Sequence, residues 1–75
     1  MSDEARARYD SLNSWRNETA NESHLPSEFI ATNSTLREIA LDPPDDVEGL
    51  ARFEDILPWQ RRRFGHEILD ALRDT

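Results

Sequence analysis

Sixteen carboxylates and nine arginines make up most of the reactive side chains of this 75-residue chain. There is no cysteine, which excludes disulfides and thiolate metal sites. The two histidines, His24 and His66, fall in separate segments without ligand spacing, so no structural zinc is expected. The sequence holds no Ser/His/Asp or Cys/His set and no glycine-rich phosphate loop. A nuclease would need clustered carboxylates to hold two metals. Asp45, Asp46 and Glu48 are close in sequence, but helix capping explains them. The chain is therefore read as non-catalytic, with no cofactor and no small-molecule substrate.

Two groups remain that could bind something. Trp59, Arg62 and Arg63 form the one basic-aromatic cluster. An exposed indole beside two guanidiniums can stack on an unpaired base and neutralise backbone charge. Alternatively, Trp59 tucks against the first helix and the arginines pair with the acidic segment before it. The second group is acidic: Asp42, Asp45, Asp46, Glu48, Glu54 and Asp55, with only Arg52 among them. Such a surface suits docking on a basic protein surface and could mimic DNA electrostatically. The net charge of −7 repels polyanions, and it is unevenly spread: residues 1–57 carry −8 and residues 58–75 carry +1. Any nucleic-acid contact is thus expected to be weak.

At this length one small domain is expected over residues 1–75, ordered from about residue 4 to 73. The apolar share is 36%, low for a globular chain, but two Trp, three Phe and spaced Leu and Ile suffice for a helical core. No apolar run approaches the ~20 residues of a membrane span, and the first residues lack a signal-peptide core. The chain reads as cytoplasmic, without membrane contact, and as a piece of something larger.

The elements that must position these groups read as follows. A long helix from Glu4 to about Glu22 places Ala5, Tyr9, Leu12, Trp15, Arg16 and Thr19 on one face. Trp15 is expected in the core, with the Arg16 stem along it and its guanidinium on carbonyls or an acid. After a polar connector, Ser27 is expected to cap a single turn carrying Phe29 and Ile30. A third helix runs from about Ser34 to Leu41 and is stopped by Pro43-Pro44. Asp45 and Glu48 are expected to open a fourth, up to Arg52, as a capping box. The last helix starts with Pro58 in its first turn and ends near Arg73. It turns Arg61, Phe64, Gly65, Ile68, Leu69 and Leu72 to one side, and Trp59, Arg62, Arg63, His66 and Asp70 to the other. Gly65 is expected where another helix comes close. The predicted shared core is Trp15, Phe29, Leu36, Ile39, Leu50, Phe64, Ile68 and Leu72.

The order Leu12-x-x-Trp15-Arg16-x-x-x-Ala20, Leu25-Pro26, Thr35-Leu36-Arg37-Glu38-Ile39-Ala40, a proline, Leu50 and Phe64-Gly65-x-x-Ile68-Leu69 resembles the HRDC domain, over roughly residues 8 to 73. This is the helicase-and-RNase-D C-terminal module appended to RecQ-type DNA helicases and to ribonuclease D. The resemblance implies an all-α bundle of about five helices, two long and antiparallel, clamping a short central pair. It implies an accessory module of a RecQ-type helicase, tuning DNA binding or substrate choice through nucleic-acid contacts or contacts with the parent's other domains. The alternatives are an RNA-contacting module of a ribonuclease D, or a pure protein-interaction module. Family contacts come from the loop after the first helix, often with an aromatic two residues after the proline, where this chain has Glu28. They also come from a hairpin commonly written I-x-G-V-G-x-x-K. Here it reads Phe53-Glu54-Asp55-Ile56-Leu57-Pro58-Trp59-Gln60, with Asp55 and Leu57 for the glycines and Gln60 for the lysine.

Overall fold

The structure, a computed structural model, describes residues 1–74. Those residues form helices α1 (Asp3–Ser23), α2 (Ser27–Ile30) and α3 (Asn33–Leu41), a 3-10 helix η1 (Val47–Arg52) and α4 (Pro58–Arg73), with no strand among them. The all-α, five-helix reading of the sequence holds. Ser23 at the end of α1 lies beside Trp59 at the start of α4, whereas Asp3 and Glu4 lie beside Leu72. The two long helices are therefore antiparallel, and α1 also packs on α2 and α3 while η1 packs on α4.

Local chemistry fixes the boundaries. The Ser2 hydroxyl accepts from the Ala5 N–H, and Asp3 and Glu4 put negative charge at the positive end of the α1 dipole. His24 ends α1 in the left-handed region, at φ 57°, and its N–H and that of Leu25 both reach the Ala20 carbonyl. Thr32 caps α3, its hydroxyl accepting from the Thr35 N–H at 3.2 Å. Two capping expectations fail. Ser27 lies inside α2, which follows Pro26 and has no side-chain cap. Asp46, not Asp45, opens the fourth element: its Oδ1 accepts from the Gly49 N–H at 2.8 Å.

That fourth element winds as a 3-10 helix for a packing reason. With three residues per turn, side chains at i and i+3 eclipse. Val47 and Leu50 thereby face α4 together, and both close on Gly65. A Cβ on Gly65 would lie 2.7 Å from Val47 Cγ1 and 3.6 Å from Leu50 Cδ1. The expected close approach at Gly65 is made by η1.

Leu36, Ile39, Leu50, Phe64 and Ile68 are buried together with Leu12, Ile30 and Ile56. Trp15 and Leu72 are half-buried at the edge of this cluster rather than inside it. Phe29 does not belong to it and is 59% exposed. Phe29 and Ile30 point about 100° apart on α2, and this single turn sets Ile30 against the core and leaves Phe29 on its open side. Arg16 is buried as expected. Its Nη1 donates to the Ala31 carbonyl at 3.1 Å and its Nη2 to Asn13 Oδ1 at 2.8 Å, which ties α1 to the strap between α2 and α3.

Candidate nucleic-acid interface

At one end of α4, Trp59, Arg62, Arg63 and Phe64 line an open groove of about 550 Å³, with Ser23 and Leu25 from the end of α1 opposite. Phe64, 2% exposed, is its floor and anchor. Trp15 packs edge-to-face with that ring from α1, with centroids 6.0 Å apart, and Trp59 does so from the start of α4 at 6.2 Å. Trp59 stays 45% exposed. It leans toward the end of α1, as one reading of the sequence had it, while keeping indole surface open.

The two arginines differ. The Arg63 guanidinium sits 5.1 Å above the Phe64 ring and pairs with Glu67 one turn on, at 3.6 Å. Arg62 is exposed and has no partner among the described residues. Neither one pairs with the acidic segment, because helical spacing carries Arg63 to Glu67 instead.

Gln60 positions the start of this helix, a role that sequence reading missed. Its side chain is buried. Oε1 accepts from the Leu57 N–H at 2.7 Å, the reverse half of a capping box, and Nε2 donates to the Phe29 carbonyl at 2.8 Å. Glutamine three positions into a helix opened by Leu57-Pro58 was the available signal. In the loop before it, the Ile56 N–H bonds to the Phe53 carbonyl. The N–H groups of Ile56 and Leu57 are thus both taken, and no residue of this loop has positive φ.

The acidic residues are all exposed, yet they divide in two. Asp42 is engaged by Arg52, whose Nη2 lies 3.4 Å from its carboxylate and donates to its carbonyl at 2.6 Å. Asp46 caps η1. Asp45, Glu48, Glu54 and Asp55 have no partner among the described residues. Among these residues no three His, Asp or Glu side chains converge to hold a metal, and no helix is long and apolar enough to cross a membrane.

A family model described as the HRDC domain matches residues 5–72. The chain belongs to the HRDC domain family. No curated protein and no solved structure matches it. HRDC domains are accessory, non-catalytic modules of helicases and ribonuclease D that contact nucleic acid or protein. In this HRDC domain the loop before α4 departs from the hairpin that the resemblance implies. Asp55 and Leu57 stand at the positions where the resemblance leads one to expect glycines, and the Ile56 and Leu57 N–H groups bond internally. The lysine position is filled by Gln60, turned inward to the Phe29 carbonyl. Glu28, two residues after Pro26, is an exposed acid.

Proposed function

We propose that this HRDC domain serves a RecQ-type DNA helicase, in the cytoplasm, by weakly contacting single-stranded or structured DNA and so biasing the parent's choice of substrate. The supporting observation is the α1–α4 end groove, in which a half-exposed Trp59 and an unpartnered Arg62 share one wall. A base stacking on the indole contributes about 1–3 kcal/mol, whatever its identity. Arg62 is free to neutralise a phosphate, and Arg63 can join by loosening its exposed pair with Glu67. The net charge of −7 opposes the approach of DNA, so the contact is weak and serves the parent only when the strand is already held nearby.

The test is fluorescence anisotropy with a labelled single-stranded oligonucleotide at physiological salt. The dissociation constant should be no tighter than tens of micromolar, within the usual ~10⁻⁴–10⁻⁶ M of non-specific binding, and should weaken steeply with salt. Trp59→Ala should weaken it further. Submicromolar affinity that survives rising salt, or binding indifferent to Trp59, would refute the proposal.

A second surface has its own support. Four unpartnered carboxylates, Asp45, Glu48, Glu54 and Asp55, stand ready to dock on a basic surface of the parent or of another protein. Occupying a DNA-binding surface of the motor in this way would restrain it until DNA displaces the domain.

A further inference from the structure

A different groove runs between the middle of α1 and the C-terminal half of α4, lined by residues of neither surface above. It encloses about 510 Å³, within the ~300–1,000 Å³ of ligand-binding clefts. Trp15 lines it, flanked by Asp10 and Glu18 from α1 and by Glu67, Asp70 and Asp74 from α4. No Arg, Lys or His side chain lines it. Three of these carboxylates have arginine partners that do not line the groove, Arg6 to Asp10 at 3.8 Å, Arg63 to Glu67 at 3.6 Å and Arg73 to Asp70 at 3.5 Å, and Glu67 also accepts from the Trp15 Nε1–H at 3.4 Å. Such exposed pairs hold little. Glu18 and Asp74 have no partner among the described residues.

From this we infer that the α1–α4 groove is a docking site for an arginine-bearing peptide segment of another protein, with a guanidinium laid on the Trp15 indole between carboxylates of the two helices. Indole is the best of the side-chain rings for a cation, and the planar guanidinium both stacks on it and bonds carboxylates in a bidentate way. Nucleic acid is repelled by five carboxylates, and a bare metal finds no convergent ligand set here. A neutral apolar ligand would leave the acidic rim unanswered. Charge complementarity therefore selects a cationic chain, and the indole surface that Trp15 presents to the groove selects arginine over lysine.

The experiment uses the whole chain carrying Trp59→Phe, so that Trp15 is the one fluorophore of its kind. Capped hexa-arginine and hexa-lysine peptides are titrated against it at low salt. Hexa-arginine should change Trp15 emission saturably and bind more tightly than hexa-lysine. Glu18→Gln with Asp74→Asn removes two exposed, unpartnered charges and should leave helicity intact while weakening hexa-arginine binding roughly tenfold. Asp45→Asn with Glu54→Asn, the same change of charge on the other acidic surface, should weaken it far less. Unchanged Trp15 emission, or equal weakening by the two double substitutions, overturns the site; equal affinity for the two peptides overturns the stacking. None of these outcomes depends on whether the Trp59 groove binds DNA.

Discussion

The Trp59 groove and the acidic segment from Asp42 to Asp55 are both exposed and charged, but they hold their charges differently. In the groove the charged groups project from the first two turns of a continuous helix, whose own ladder takes up the Arg62 and Arg63 N–H groups. Nothing there requires Arg62, which stays free. The acidic segment passes through a proline corner, a 3-10 helix and a turn in fourteen residues. Its backbone groups lack a regular ladder and recruit side chains: Asp46 takes the Gly49 N–H, and Arg52 serves the Asp42 carbonyl. An exposed charge is available for binding only where the neighbouring backbone does not need it. By that criterion the six acids reduce to Asp45, Glu48, Glu54 and Asp55 as candidates for a partner.

The contrast breaks hardest at Phe64, which floors the groove while sealing the core. Phe64→Ala should cost about 3–5 kcal/mol, a large part of the ~5–15 kcal/mol that holds a small domain. A urea midpoint left where it was would contradict the assigned packing. Gln60→Ala comes next. It leaves the Leu57 N–H and the Phe29 carbonyl without partners, so about 1–3 kcal/mol should be lost. The loss should fall on the contact between α2 and α4, visible as faster amide exchange at Leu57. On the acidic side the effect is smaller and discriminating. Asp46→Ala removes a cap and should cost about 0.5–2 kcal/mol, whereas Asp45→Ala should leave the thermal midpoint almost unmoved. Equal losses at the two positions would mean that Asp45 shares the cap.

Long-period signals in the sequence carried well. The face Ala5, Leu12, Arg16, Thr19 and the span Pro58–Arg73 come straight from 3.6-residue periodicity and from proline in a first turn. The close approach at Gly65 was legible because glycine inside a helix has a cost that packing must offset. What failed was short-range. One turn of helix has no period to read, so Phe29 and Ile30 could not be told apart. Two adjacent aspartates both make plausible caps, and only the winding of η1 selects Asp46. Gln60 looked like a lost lysine because its partners, Leu57 N–H and Phe29 carbonyl, are backbone groups that no side-chain pattern reveals. The site residues Trp59, Arg62 and Arg63 do meet in one groove, but the difference between a free Arg62 and an engaged Arg63 rests on Glu67 and Phe64 beneath them.

That difference supplies the finest test, with almost no effect on stability. Arg62→Glu changes an exposed residue without a partner, so folding should shift by no more than about 0.5 kcal/mol. If Arg62 contacts a phosphate, its reversal should lower the salt slope of single-strand binding by about one unit. Arg63→Glu also breaks the Glu67 pair and places two acids one turn apart, so a slightly larger stability loss is expected, again small because both are exposed. Its effect on the salt slope should be the lesser of the two, since binding through Arg63 must first release Glu67. Glu67→Gln should therefore strengthen single-strand binding, because it frees Arg63 and removes a negative charge one helical turn away. On the acidic segment, Asp45→Lys with Glu54→Lys leaves the Asp46 cap intact and should make DNA binding the same or tighter. A salt slope governed by Arg63 and untouched by Arg62 would show that the free guanidinium is a bystander, and the groove would then bind through its aromatic wall alone.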